Sequence, residues 1–291
     1  MKSKGKRTGF TIIELLTVMS IIIILISILV PSLNAVRRYA RVVTQKGQFH
    51  DISKGLEMFS INFDGYPDSS AEDLDGDSYC GAMKLCEAMV GQDGLGFHPD
   101  SVFDDEGKAI DGTTELYFNR TPLSGPVPTA AEEANLRTRK VKYIEGQNVQ
   151  IASIGTLFGS TSFDPCCPVL CDVFKRNELR SPKGEKLGMP ILYYKADPSK
   201  LTHDPNQGVT NKTNIYSYMD NDELLAIGVP WATTPHPMYD SGGDGPVFYS
   251  NTRDKAVTVI DKPHNPDSYI LISAGWDGLY GTRDDVYNFA D

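Results

Sequence analysis

The hydrophobic pattern is uneven, and its densest part comes first. Residues 1–9 carry Lys2, Lys4, Lys6 and Arg7 and no acid, and residues 10–30 hold one charge, Glu14, in 21 positions. A helix of about 20 apolar residues crosses a bilayer, so the pattern predicts a transmembrane helix over 10–30. The basic residues before it favour a cytoplasmic N-terminus. Arg37, Arg38 and Arg41 on the far side weaken that asymmetry. Pro31 lacks an N–H and crowds the preceding turn, which predicts a kink or local unwinding there. Beyond it Leu33, Val36, Ala40, Val43, Phe49, Ile52, Leu56, Phe59 and Phe63 fall mostly three or four apart. That period predicts an amphipathic helix over 31–65, its later part covering a sheet. Gly65-Tyr66-Pro67 supplies the stop.

The periodicity fades over 66–180. Residues 80–90 read as a short helix and 121–140 as an exposed loop followed by a charged helix; the whole stretch reads as an inserted variable region. Residues 181–291 form the C-terminal β-sheet region. Strand composition marks 191–196 and, best of all, 268–273, with weaker candidates at 215–218 and 247–249. The predicted class is α+β: a long N-terminal transmembrane and amphipathic helix packed on an antiparallel β-sheet head.

Composition narrows the function. A formal net charge of −10 argues against nucleic acid as a partner, which needs a concentrated basic face. The five histidines form no H-x-x-x-H pair, and no G-x-S-x-G occurs. Gly76 and Gly81 have phosphate-loop spacing, but Ala82-Met83 replace the required Lys-Ser/Thr. Asp73, Asp75 and Asp77 begin like a calcium loop, yet Ser78 and Lys84 stand where Gly and Glu are needed, leaving a solvated acidic turn. A non-enzyme is expected. The five cysteines, Cys80, Cys86, Cys166, Cys167 and Cys171, permit disulfides outside the cytoplasm and leave an odd thiol.

The apolar block is too long for an ordinary secretory signal, and no small-residue cleavage site follows it. A carboxylate inside such a helix costs up to about 2.5–3.5 kcal/mol, so Glu14 needs a partner. Gly9-Phe10-Thr11-Ile12-Ile13-Glu14-Leu15-Leu16 resembles the processing site of type IV pilins and type II secretion pseudopilins. The resemblance covers roughly residues 1–63, with Glu14 fifth and Pro31 twenty-second counted from Phe10. It implies a leader of residues 1–9, cleavage after Gly9 by a prepilin peptidase, and N-methylation of Phe10. It also implies Glu14 and Pro31 as filament-assembly residues. In a stack of such helices, Glu14 meets the freed ammonium of a neighbour, which makes a buried charge tolerable.

Near the C-terminus, Asp277, Asp284 and Asp285 lie in a Gly-rich turn directly after a strand. By itself this reads as an acidic hairpin. It also resembles the calcium loop of the major type II secretion pseudopilin, which implies Ca²⁺ held by Asp277, Asp284 and Asp285 with carbonyls near Ala274 and Leu279. Arg283 departs from that pattern as a rival cation. The expectation is a subunit of a type II secretion pseudopilus with an enlarged head, anchored once in the bacterial inner membrane with its head in the periplasm. Its implied partners are its own copies, prepilin peptidase, minor pseudopilins and the inner-membrane secretion platform. The alternatives are a type IV pilus subunit for adhesion or DNA uptake, or a membrane-anchored periplasmic binding protein or enzyme.

Overall fold

The computed structural model describes residues 11–118, 130–145, 149–159, 161–204, 213–231 and 234–289. Gly9 and Phe10 lie outside them, as does most of the loop predicted before the charged helix. The chain divides into two compact units, Met1–Val43 and Thr44–Asp291.

In the first unit every described residue up to Arg41 is exposed and helical beyond Thr11. It forms the start of α1 (Ile12–Phe63), which runs unbroken across both predicted helical stretches. The local unwinding expected at Pro31 is absent. Proline removes one hydrogen bond and strains one carbonyl, and long helical runs on both sides hold the segment in register.

The second unit begins where α1 acquires a buried face. Gln45, Gln48, Phe49, Ile52, Gly55, Leu56 and Phe59 are buried, three or four apart. Ile52 and Leu56 are fully enclosed, worth roughly 1.5–3 kcal/mol each. Gly55 admits α2 (Gly81–Val90), since a Cβ there would lie 2.7 Å from Met89 Sδ. Two polar side chains fix the docking. Gln48 Nε2 donates to the Cys171 carbonyl at 2.9 Å, and the Val173 N–H donates to Gln45 Oε1 at 3.0 Å.

The sheet is built in two pieces. β1 (Gln150–Ser153) pairs antiparallel with β2 (Pro168–Cys171), and β3 (Leu192–Lys195) pairs antiparallel with β4 (Tyr269–Ser273), which pairs with β5 (Val286–Tyr287). Residues 189–191 join the pieces: the Ile191 N–H donates to Leu170 O at 2.7 Å, and the Asp172 N–H to Met189 O at 2.8 Å. Every residue of α2 is buried. Asn221 tethers its start, accepting from the Ala82 N–H and donating to Tyr193 O. The charged helix appears as α3 (Ala130–Thr138), and α4 (Ile154–Phe158) follows β1.

The long helix and antiparallel sheets are those the pattern predicts. Two weaker strand candidates are not strands. Residues 215–218 lead into a 3-10 turn, Tyr218–Asn221, continuing into α5 (Asp222–Ile227). Residues 247–249 fall inside α6 (Pro246–Thr252), where Pro246 at the first turn starts a helix. β-Rich composition there serves core packing: Phe248 is buried, its ring centroid 4.5 Å from that of Tyr194.

Candidate functional site

Two places carry the chemistry singled out in the sequence. The first is the start of α1. The Thr11 N–H and hydroxyl donate to Glu14 Oε2 at 2.9 and 2.8 Å, and the Glu14 N–H donates to Thr11 Oγ1 at 3.3 Å. This is a reciprocal capping box, a Thr followed three positions later by Glu, which satisfies N–H groups a helix start otherwise leaves unpaired. The spacing was legible, but the transmembrane reading of Glu14 obscured it. Beyond it, the apolar side chains from Ile12 to Val30 are 43–83% exposed. Its 19 residues span about 28 Å at 1.5 Å each, close to the thickness of a bilayer's hydrocarbon core. Pro31 lies one residue past that run.

The second is the turn between β4 and β5. Ser273 Oγ ties the end of β4 to buried Asp172, donating at 2.8 Å. The chain then doubles back through Gly275, Gly278 and Gly281, all at positive φ. Gly275 is required, because a Cβ would lie 2.0 Å from the Asp284 carbonyl oxygen. The Asp277 N–H donates to Asp284 Oδ2 at 2.9 Å, and Thr282 Oγ1 to Asp284 Oδ1 at 2.6 Å. Asp277 Oδ1 accepts from the Leu279 N–H at 2.8 Å. Desolvation and then the neighbouring Asp284 push the Asp277 carboxyl up, against the Leu279 N–H. At Asp284 the Thr282 hydroxyl and the Asp277 N–H outweigh desolvation and hold it low.

Asp285 points elsewhere. Its Oδ2 accepts from the Gly281 N–H at 2.8 Å and from Tyr287 OH at 3.1 Å. Its Oδ1 is buried with no hydrogen-bond partner among the described residues, and burial lifts the carboxyl to about 7. The Ala274 carbonyl accepts from the Gly278 N–H, and the Leu279 carbonyl from Thr282 Oγ1. Arg283 is exposed and forms no ion pair with the described residues. The cation at this turn is Arg176, which sequence spacing could not reveal. Its Nη2 donates to the Trp276 carbonyl, and its guanidinium lies 4.9 Å from the Trp231 ring centroid. Asp277 and Asp284 thus form a crowded carboxylate pair, while Asp285 and the Ala274 and Leu279 carbonyls are turned to partners of their own.

Among the described residues, the acids whose oxygens converge within 4.8 Å are a different set: Asp73, Asp104 and Asp105. Asp73 sits in the turn read as solvated, yet it is half-buried. Its Oδ1 accepts from the N–H groups of Asp75, Gly76 and Asp77, and its Oδ2 from that of Asp105. Main-chain dipoles thus offset its charge. Desolvation and then Asp73 lift Asp105 to about 6.

One arrangement resembles a serine–lysine pair: Lys84 Nζ lies 2.6 Å from Ser70 Oγ. The same ammonium donates to Asp68 Oδ2 and the Glu72 carbonyl, both at 2.9 Å. Its three protons are engaged, which leaves no lone pair for a base and makes it a buried clasp on the 68–72 turn. The five cysteines are all thiols, with Cys80, Cys86, Cys167 and Cys171 buried.

No protein-family model matches the chain, and no solved structure matches it. The chain is 40% identical over 63 residues to the type IV wide pilus major component PilA4 of Thermus thermophilus, a stretch that covers 22% of this chain. It spans about half, 48%, of that relative's length. The similarity is to a type IV pilin, and the described residues include one helix, α1, long and apolar enough to cross a membrane.

Proposed function

We propose that the chain is a subunit of a type II secretion pseudopilus, cleaved between Gly9 and Phe10 and N-methylated at Phe10. Its head stands in the periplasm, and its partners are prepilin peptidase, minor pseudopilins and the inner-membrane platform. The observation that carries the filament reading is the apolar surface of α1 from Ile12 to Val30, exposed on all sides. A surface so large and unpartnered in a protein with a compact head needs lipid or other copies of itself around it. The secretion branch is chosen on the resemblance of the C-terminal acidic turn to a calcium loop at Asp277, Asp284 and Asp285, of which Asp285 turns away toward Gly281 and Tyr287.

Glu14 has two roles to separate: capping its own helix, and pairing with the ammonium freed on a neighbour's Phe10. Glu14→Gln keeps a capping-box side chain and removes the charge, whereas Glu14→Ala removes both. Charge pairing requires both variants to enter the membrane and neither to assemble. Filaments of normal length and yield from Glu14→Gln would refute the pairing role and leave the cap as the residue's contribution.

A further inference from the structure

The charge pattern of α1 is lopsided. Between Glu14 and Asp51 the sequence holds no acid, yet it holds Arg37, Arg38, Arg41 and Lys46. Basic residues beyond a spanning segment run against the usual charge asymmetry, so their presence needs a cause. The three arginines are exposed, and Tyr39 among them is 72% exposed. Arg37 and Arg41 are four apart, Arg38 and Arg41 three apart, so the three side chains leave from one side of the helix. Their height is set by the helix. Counted from Val30, Arg37 lies about 10 Å and Arg41 about 16 Å further along the axis. The headgroup layer on each side of a bilayer's hydrocarbon core is about 5–8 Å thick. The Cα–Cβ bonds of a helix tilt toward its N-terminus, here back toward the apolar run, and long basic side chains extend toward the interface. Any lean of the helix from the bilayer normal lowers these heights further. Arg37 and Arg38 therefore arrive at the phosphate layer and Arg41 just above it, with Tyr39 at a depth that suits an interfacial aromatic.

We infer that Arg37, Arg38 and Arg41 form a binding stripe for the phosphate headgroups of anionic lipids, seated where α1 leaves the bilayer. The inference rests on the reading of α1 from Ile12 to Val30 as a membrane-spanning segment. The guanidinium fork matches the oxygens of a phosphate, and three such groups on one side of a helix concentrate positive charge at the depth where lipid carries its negative charge. The stripe also fixes how deep the helix sits. Drawing it into hydrocarbon would strip the guanidinium groups of their hydration, and lifting it away would break the phosphate contacts.

The test uses the full-length protein in phosphatidylcholine vesicles carrying a trace of spin-labelled phosphatidylglycerol or spin-labelled phosphatidylcholine. Electron paramagnetic resonance reads the lipid held motionally restricted against the protein, and the ratio of the two labels gives the preference for the anionic lipid. The triple variant Arg37→Gln, Arg38→Gln, Arg41→Gln is expected to lower that preference about fivefold, whereas Lys46→Gln with Lys54→Gln, farther along the same helix, stays within about twofold of the parent. In about 1 M salt the preference of the parent should fall to that of the triple variant, because the screening length drops to about 3 Å. This salt series also serves as the measurement should the triple variant fail to enter the vesicles, and a parent preference that persists undiminished in high salt overturns the inference. Equal preference in parent and triple variant, or equal losses in the triple and the lysine variants, likewise overturns it while the spanning helix stands. Absence of any restricted lipid around the parent and every variant overturns both the stripe and the membrane-spanning reading.

Discussion

Asp172→Asn should flatten the pH dependence of stability in the head. Asp172 lies just after β2 and is 1% exposed. Its Oδ1 accepts from the N–H groups of Phe174 at 3.0 Å and Met189 at 3.2 Å, and its Oδ2 from Ser273 Oγ. Gly188 opposite has no room for a side chain, since a Cβ would lie 2.2 Å from the carboxylate. Desolvation lifts the carboxyl to about 7, only partly offset by Ser273, the two N–H groups and Arg176. The folded pKa thus lies above the unfolded value of about 3.9. As pH rises, the unfolded chain loses its proton first, so stability falls between about pH 4 and pH 7 and then levels off. Between pH 5 and pH 8 the loss covers about two pK units, or roughly 2–3 kcal/mol. Asparagine keeps the shape: its oxygen accepts from both N–H groups, and its amide donates to Ser273 Oγ, whose hydroxyl rotates away. At about 2–4 °C per kcal/mol for a unit of this size, the Tm of Asp172→Asn relative to the parent should rise by about 4–12 °C from pH 5 to pH 8. Circular-dichroism melts in calcium-free buffer measure it, with Asp220 and Asp285 contributing the same background to both proteins. Parallel curves across that range would show that Asp172 does not titrate in the folded state, and the argument would fail.

Intact-mass analysis of membrane-purified protein should find the chain beginning at Phe10 with one added methyl group, and the formal net charge moved from −10 to −14 by loss of four basic residues. A retained leader in a host with prepilin peptidase counts against processing. Asp284→Ala should abolish most of the calcium-dependent rise in Tm, whereas Asp75→Ala, in an exposed position, should leave it intact; coincident melts of the parent with calcium and with chelator rule out the site. Arg139→Met should cost about 3–5 kcal/mol, because it leaves Asp93 charged and buried at the far end of a pair whose side chains are each 1% exposed. Urea unfolding that changes by less than about 1 kcal/mol would show that the pair is better solvated than its geometry implies.

What was legible in the sequence was what repeats. The apolar run, the spacing of Phe49, Ile52, Leu56 and Phe59, and the β-branched and aromatic runs at 191–196 and 268–273 each carry a period that names an element. The short strands β1 and β2, four residues each, carry none, because Pro168 and Cys171 belong to no strand pattern and their pairing depends on partners far along the chain. Phe248 and Tyr249 looked like strand residues because core packing selects the same side chains. At the acidic turn, Asp277 and Asp284 could be read from spacing as neighbours. That Asp285 turns toward Gly281 and Tyr287, and that the nearby cation is Arg176 rather than Arg283, is set by tertiary contacts.

The cysteines give the head a built-in stopwatch. Cys80, Cys86, Cys167 and Cys171 are 0–1% exposed and line the seam where α2 meets β2, whereas Cys166 is half-exposed beside them. Burial pushes the Cys80 thiol to about 12 and lifts those of Cys86 and Cys171 as well. Alkylating reagents attack the thiolate, so these groups react only when the seam opens. When the seam recloses faster than the reagent attacks, the labelling rate relative to a solvent-reachable thiol gives the opening free energy. Such counting needs no melting and no soluble fragment. It works on protein held in a bilayer or inside a fibre, where heating would report on the surroundings rather than on the head.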